Sequence, residues 1–160
     1  MNTAFREYLN RPRMLTAKLS DAVTQFHDLW AACTKQTTSF DTVGGHGGGG
    51  GDAKDGILAA FADFSNSQNR YREELDDAKR ELRRFFETLR PRDALLLELR
   101  YVQLLDWNDV HKKLSDKGYP CLALRTVLNW HTEALNRGER IWEDTQHGKR
   151  ESHADDAEDC

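Results

Sequence analysis

Side chains capable of acid–base or metal chemistry are scattered along this chain of 160 residues and form no known catalytic motif. Six histidines are present, but no HExxH motif occurs, and no cysteine lies at a ligand-like spacing from a histidine. The paired carboxylates Glu73-Glu74 and Asp76-Asp77 lie in a strongly charged segment, where solvated charge is their ordinary role. The sequence therefore predicts a binding protein rather than an enzyme, with no catalytic residue, metal ligand or cofactor.

A glycine-rich run is the second feature that suggests chemistry, because such runs cradle phosphates in some nucleotide-binding proteins. Seven of the eleven glycines lie between positions 44 and 51. No GK[ST] tripeptide follows them and no strand is predicted before them, so a phosphate loop is not expected. Residues 35–55 are instead predicted to be a flexible loop, because glycine has the greatest ordering entropy and no side chain to compensate for it.

Charge is distributed unevenly around a net value of −4. Residues 79–150 carry 15 basic and 11 acidic residues, whereas residues 151–160 carry five acidic residues and no lysine or arginine. A mildly basic body permits contact with nucleic acid but does not require it. Residues 146–160 are predicted to be an acidic, disordered tail that could compete with DNA for the basic body of its own chain.

Cysteine usage and hydropathy indicate the compartment. The three cysteines, Cys33, Cys121 and Cys160, are widely spaced and include no CxxC pair. This pattern argues against a disulfide framework and favours a reducing environment. No apolar run approaches the length of a membrane-spanning helix, and the N-terminus lacks the apolar region of a secretion signal. We therefore expect a cytoplasmic protein without a membrane partner.

Two long segments have the apolar spacing of helices that pack against a partner along a narrow seam. In residues 1–34 and again in residues 56–89, apolar side chains recur at alternating intervals of four and three. Pro12 lies on the first seam and is expected either to restart or to kink the helix. The second seam includes the polar Gln68. We expect an all-α fold in which these helices form a long antiparallel hairpin, although each narrow seam also suits a homodimer.

Residues 90–145 are predicted to form three helices, the last two separated by a turn. Pro91 breaks the preceding helix, and Asp106 is expected to cap the second of the three. The stretch Ser115–Pro120 contains Gly118 and interrupts the apolar pattern, and its proline is able to begin the last helix. This order is the helix-turn-helix pattern, although another three-helix bundle would have a similar periodicity.

The sequence of this C-terminal unit resembles a group of small phage and prophage proteins whose helix-turn-helix is similar to region 4 of sigma-70-type factors. The shared pattern comprises an L-x-L-R-Y segment, a capped W-x-x-[IV] helix, and a later helix with V, H and A-L at fixed spacing. In this chain these are Leu97–Tyr101, Trp107–Val110 and Val127–Leu135. The N-terminal YLN segment, Tyr8–Asn10, also fits, so the resemblance covers about residues 5–140.

The resemblance implies a DNA-binding transcription regulator of phage or prophage genes, acting in the cytoplasm of a bacterial host. The helix near Arg125 would enter the major groove of double-stranded DNA, with Arg125, Thr126 and Asn129 facing base edges. His131 matches the motif histidine and is expected to be structural. RNA polymerase or another regulator is the implied protein partner. The implied phosphate contacts are Lys112, Lys113, Lys117 and Arg137.

The joint between the last two helices departs from the group. Thirteen residues lead from Leu114 to Val127, where about seven are expected, so either the turn is longer or the last helix begins a turn earlier. Leu124 and Leu128 are also less polar than a DNA-reading helix requires, so they contact a thymine methyl or bind a protein. Two alternative functions therefore stay open: a packaging adaptor similar to small terminase subunits, and a protein-interaction module that uses the helical arm or this leucine face.

Overall fold

The computed structural model describes residues 2–39, 50–119 and 123–155 of the chain. These ranges contain helices and connecting segments but no β-strand, which confirms the predicted all-α class. A π-helical turn, Glu98–Val102, continues the third helix. None of the described helices is both long and apolar enough to cross a membrane. The α-helices, numbered α1 to α5, are Thr3–Ser39, Gly50–Phe86, Pro91–Leu97, Trp107–Asp116 and Leu124–Asp155.

The chain divides into two compact units. The terminal unit comprises Met1–Arg13 and Ala78–Cys160, and the middle unit comprises Met14–Asp77. The start of α1 and the end of α2 therefore belong to the same unit as α3, α4 and α5. The remaining parts of α1 and α2 make up the middle unit.

Two buried apolar clusters form the core of the terminal unit, and adjacent leucines of α3 contribute one residue to each. Leu97 packs with side chains from α1, α2 and α5, whereas Leu96 packs with side chains from α4 and α5. Neighbouring residues of a helix point in directions about 100° apart, so adjacent leucines reach different clusters. The first cluster is Phe5, Leu9, Leu82, Phe86, Leu97, Val102 and Ala134, and the second is Leu96, Leu99, Val110, Leu114 and Val127.

Aromatic contacts join α1 to α2 in the middle unit. The ring of Phe61 lies 5.3 Å from the ring of Phe26 and 5.6 Å from that of Trp30, measured between centroids. A cavity of about 260 Å³ also lies between the two helices of this unit. Its lining residues are Lys18, Asp21, Ala22, Gln25, Phe64, Ser67 and Tyr71.

The ends of the long helices correct several predicted boundaries. The predicted loop 35–55 is helical at both ends, because α1 continues to Ser39 and α2 begins at Gly50. Residues 35–39 contain no glycine or proline to stop a helix. The part of that prediction that concerns residues 40–49 lies outside the described residues. α2 also ends at Phe86 rather than at the predicted residue 89.

Two further predictions are corrected along α1 and α5. α1 is a single helix through the buried Pro12, so it does not restart there. α5 continues to Asp155, whereas disorder was predicted from residue 146. Residues 146–155 contain no proline and include the good helix formers glutamine, lysine, arginine, glutamate and alanine, so nothing in them ends the helix. Residues 156–160 lie outside the described ranges.

Candidate nucleic-acid interface

A side-chain cap fixes where α4 begins. The Oδ1 atom of Asp106 accepts a hydrogen bond from the backbone amide of Asp109 at 2.8 Å, which confirms the predicted N-cap. Asp109 adds negative charge to the first turn, where the helix dipole favours it. Val110 and Leu114 are fully buried on the inner side of α4. The cap and the buried side chains together fix the position of α4 in the terminal unit.

Arg100 holds the connection that leads into α4. Its Nη1 atom donates to the carbonyl oxygen of Leu105 at 2.6 Å, and its guanidinium lies 4.7 Å from the centroid of the Trp107 ring. Leu104 has a φ of 58°, a left-handed conformation that costs a residue other than glycine about 1 kcal/mol. The contacts of Arg100 therefore stabilise a strained connection and place Trp107 at the start of α4.

The turn after α4 is closed by two backbone hydrogen bonds. The amide of Gly118 donates to Ser115 O at 3.2 Å, and the amide of Tyr119 donates to Leu114 O at 3.1 Å. Gly118 has a φ of 93°, so the pattern is a Schellman motif with glycine at the left-handed position. The Tyr119 ring then packs edge-on against Trp130, with centroids 5.9 Å apart. These contacts connect the turn to α5.

The first helical residue of α5 is Leu124, so the last helix does not begin at Pro120 as predicted. The carbonyl oxygen of Ala123 accepts the amides of Thr126 at 2.8 Å and of Val127 at 3.3 Å, which forms the first turn. Pro120 and the two residues after it lie outside the described ranges.

Two of the three residues expected to read bases lie together on the surface. Arg125 and Asn129 are exposed and stand one helical turn apart, while Val127 between them is fully buried. Within the described part of the chain, neither side chain has a hydrogen bond or an ion pair. Thr126 is half-buried and lies to one side of this face. A guanidinium and a carboxamide held in this way can each make two hydrogen bonds to a base edge.

The three lysines expected to contact phosphates, Lys112, Lys113 and Lys117, are all exposed in the second half of α4 and directly after it. The Nζ atom of Lys113 donates to Gln103 Oε1 at 2.9 Å, and Lys117 is the C-cap residue of α4. Positive charge at this end of a helix also stabilises the helix through its dipole. The lysines therefore have a structural role in addition to any contact with an anion.

Arg137, the fourth residue expected to contact phosphate, is instead paired with a buried carboxylate. Its Nε and Nη2 atoms lie 2.8 Å and 3.0 Å from the two carboxylate oxygens of Asp93. The Asp93 side chain is only 2% exposed, and its hydrogen bond is the largest effect that raises the pKa of Arg137. The interpretation of Arg137 as a phosphate contact is corrected, because its guanidinium joins α5 to α3.

The surroundings of this pair were not found by sequence reasoning. Arg92 Nη2 lies 3.4 Å from Glu133 Oε2, and the Arg92 guanidinium lies 4.5 Å from the centroid of the Trp130 ring. Arg137 also lies 3.7 Å from Glu133, one helical turn earlier on α5. The only signal in the sequence is Asp93 itself, an acidic residue in the first turn of a helix that begins at Pro91. Its partner lies 44 positions later, beyond any local spacing rule.

His131 has the structural surroundings expected of the motif histidine. Its Nε2 atom lies 3.1 Å from the hydroxyl of Tyr101, and its ring lies 4.8 Å from the ring of Trp107, measured between centroids. Burial, with a smaller contribution from the positive charge of Arg100, lowers the pKa of His131 to about 4. The ring is therefore neutral at pH 7 and holds the start of α4 against α5.

Two leucines interrupt the polar face of α5. Leu124 is 39% exposed and Leu128 is 38% exposed, next to Arg125 and Asn129 in the sequence. An exposed leucine can contact the methyl group of a thymine or the surface of a protein. The face therefore combines two polar side chains with two apolar ones.

The described residues contain no group of three or more histidine, cysteine, aspartate or glutamate side chains placed to hold a metal ion. The terminal unit exposes three lysines on α4 and directly after it. On α5 it exposes Arg125, Asn129 and two leucines. No protein-family model, curated protein or solved structure matches the chain.

Proposed function

We propose that the terminal unit binds double-stranded DNA through a helix-turn-helix formed by α4 and α5, and that the protein regulates transcription of phage or prophage genes in a bacterial host. The observation that carries this proposal is the pair Arg125 and Asn129, exposed and unpaired among the described residues on a helix anchored by the buried Val127. Readout in the major groove requires such donors on a helix that cannot move away from the base edges.

The three exposed lysines supply the contacts that do not depend on sequence. Lys112, Lys113 and Lys117 would neutralise phosphates and release counterions, which gives affinity that falls as salt rises.

The two long helices, α1 and α2, also have a role in the proposal. In this proposal α1 and α2 form an antiparallel hairpin that is available for a homodimer or for RNA polymerase or another regulator. The pairing of Phe26 with Phe61 supports this arrangement, because a late residue of α1 meets an early residue of α2.

The test is a selection from a pool of randomised DNA duplexes, followed by a salt titration of binding to the selected and to a scrambled duplex. We expect enrichment of a defined sequence and an affinity for it that decreases linearly with the logarithm of salt concentration. A pool that shows no enrichment, together with equal binding to the selected and scrambled duplexes, would refute sequence-specific regulation.

At the residue level, Arg125→Ala should weaken binding to the selected duplex by about 1–3 kcal/mol and relax the preference at one base pair. The physical reason is the loss of a bidentate donor with no change in the buried face of α5. Arg72→Ala removes an exposed arginine from the middle unit and is the control, for which we expect unchanged base preference. An unaltered preference in Arg125→Ala would remove this residue from the reading face.

A protein-interaction module is the second candidate, and the exposure of Leu124 and Leu128 favours it. If the face binds a protein rather than DNA, replacing Leu128 by serine would abolish that interaction, while the DNA selection would enrich nothing. If the selection enriches a sequence and Leu128→Ser binds that DNA normally, then the leucines do not contact DNA. They would then be available to a protein partner on the promoter.

A further inference from the structure

The start of α1 lies alongside α5 in the terminal unit and runs in the opposite direction. The amide of Asn2 donates to the carboxylate of Glu139, and Asn2 Nδ2 donates to Glu143 Oε1 at 3.0 Å. The next turn of α1 packs closely as well, because a Cβ atom at Gly138 would lie 3.2 Å from Phe5 Cζ. One turn later still, Leu9 shares a buried cluster with Ala134. Asn2, directly before α1, thus contacts the latest of these positions on α5, which is the order expected of an antiparallel pair.

Two arginines follow one flank of this part of α1. Arg6 and Arg13 are seven residues apart, which is two helical turns and about 10 Å along the axis. Both are exposed, whereas Leu9 and Pro12 between them are buried. Arg11 lies on a different side, where its Nη1 atom pairs with Glu81 Oε2 of α2 at 3.1 Å. In the described part of the chain no carboxylate pairs with Arg6 or Arg13.

The same two arginines act electrostatically on a residue that contacts α5. Burial is the largest influence on Tyr101 and raises the pKa of its hydroxyl, but the charges of Arg100, Arg13 and Arg6 each lower it. The positive charges of Arg6 and Arg13 on α1 therefore act on the Tyr101 hydroxyl. That hydroxyl lies 3.1 Å from His131 Nε2, and His131 is two residues beyond Asn129 on α5. The antiparallel course of α1 and this electrostatic influence therefore agree in bringing positive charge close to the reading half of α5.

We propose that Arg6 and Arg13 bind the phosphate backbone of the same duplex that α5 reads, so that the first turns of α1 form part of the DNA interface. This inference rests on the proposed function. Neither Arg6 nor Arg13 has a carboxylate partner among the described residues, so a polyanion can supply the negative charge that the protein does not. Glu139 and Glu143 of α5 accept hydrogen bonds from Asn2 instead. Double-stranded DNA carries about one charge per 1.7 Å of its axis, so two arginines about 10 Å apart can both follow it.

The experiment compares two double variants of the full-length protein in salt titrations against the selected and scrambled duplexes. Arg6→Gln/Arg13→Gln removes the strip. Lys18→Gln/Arg72→Gln removes two positive charges from exposed residues of the middle unit and is matched in net charge. We expect the slope of log affinity against log salt to become less negative by about 1–2 in the first variant only, because each lost phosphate contact contributes about 0.9. The ratio of affinities for the two duplexes should stay unchanged, because phosphate contacts carry no base information.

The outcomes separate this inference from the function on which it rests. Equal slopes for the two double variants, with wild-type binding still dependent on Arg125, would overturn the role of Arg6 and Arg13 alone. A wild-type protein that binds no duplex would overturn both proposals. Each variant should unfold at the same temperature as the wild type, which would show that its fold is intact. A second variant, Arg6→Glu/Arg13→Glu, should lose more affinity than the glutamine variant, and equal loss in both would argue against direct contact with phosphate.

Discussion

The lowered pKa of His131 makes the free energy of unfolding depend on pH. Burial and the charge of Arg100 lower its pKa to about 4 in the folded chain, whereas an unfolded histidine titrates near 6.5. Between these values the unfolded chain binds more protons than the folded one, so the free energy of unfolding decreases as the pH falls from about 6.5 towards 4. The contribution is at most about 1.4 kcal/mol per pH unit, and it is smaller here because the ring is partly exposed.

Urea unfolding of the wild type and of His131→Gln at pH 7, 6 and 5 measures this contribution. We expect the free energy of unfolding to decrease less steeply with acidification in the variant. The other titratable groups are present in both proteins, so the difference between the two curves isolates His131. Parallel curves would show that the ring is protonated without cost in the fold.

Single residues could be predicted where their partners are local. The cap at Asp106 depends on an amide three positions later, and the left-handed turn after α4 depends on a glycine in the sequence itself. Arg137 was wrongly interpreted because its partner, Asp93, is 44 positions away and comes near only when α3 packs against α5. An arginine on a basic helix has the same sequence environment whether it contacts phosphate or a buried carboxylate.

At the scale of elements, the Asp93–Arg137 pair is the buried polar link between α3 and α5. Its two ends differ in exposure, since the Asp93 side chain is 2% exposed and that of Arg137 is 30% exposed. Removing Arg137 leaves the buried carboxylate with only Arg92, whose Nε atom lies 3.5 Å from Asp93 Oδ1, whereas removing the carboxylate leaves a guanidinium that can reach water. We therefore expect Arg137→Met to destabilise the terminal unit by about 2–4 kcal/mol and Asp93→Asn by about 1–2 kcal/mol.

Chemical unfolding of both variants and of the double variant measures this asymmetry. The double variant should be more stable than Arg137→Met alone, because it contains no buried carboxylate that has lost its bidentate partner. Arg11→Met is the matched control: its pair with Glu81 is about half-exposed at both ends, so the loss should be below about 1 kcal/mol. Equal destabilisation by Arg137→Met and Arg11→Met would show that the buried pair contributes no more than a surface pair.

The elements themselves were more predictable in their inner faces than in their ends. The spacing of apolar residues with the 3.6-residue period of a helix predicts that Val110, Leu114 and Val127 face inward, and all three are fully buried. Helix ends depend on a balance of small local terms, so α1 runs past the predicted boundary to Ser39 and α5 runs on to Asp155. The length of the joint before α5 can be counted in the sequence. The hydrogen bonds of the Schellman turn at Gly118, with which the joint begins, come from the structure.

For the whole molecule, stoichiometry separates transcription control from the packaging alternative. A regulator with one helix-turn-helix per chain acts as a monomer or as a dimer that reads two half-sites, whereas a packaging adaptor assembles as a ring of many subunits. We expect a monomer or a dimer by native mass spectrometry or light scattering, both free and on the selected duplex. A closed ring of many copies would favour the packaging role.

The unbroken course of α5 has a consequence for self-inhibition. A helix rises 1.5 Å per residue, so Glu151, where the acidic segment begins, is about 40 Å from Leu124. The residues from 156 to Cys160 span at most about 18 Å even when fully extended, which is too short to return to Arg125. α5 thus acts as a spacer that keeps the acidic end of a chain away from its own base-reading residues. Any competition between that end and DNA for Arg125 has to come from another copy, and it would therefore increase with protein concentration.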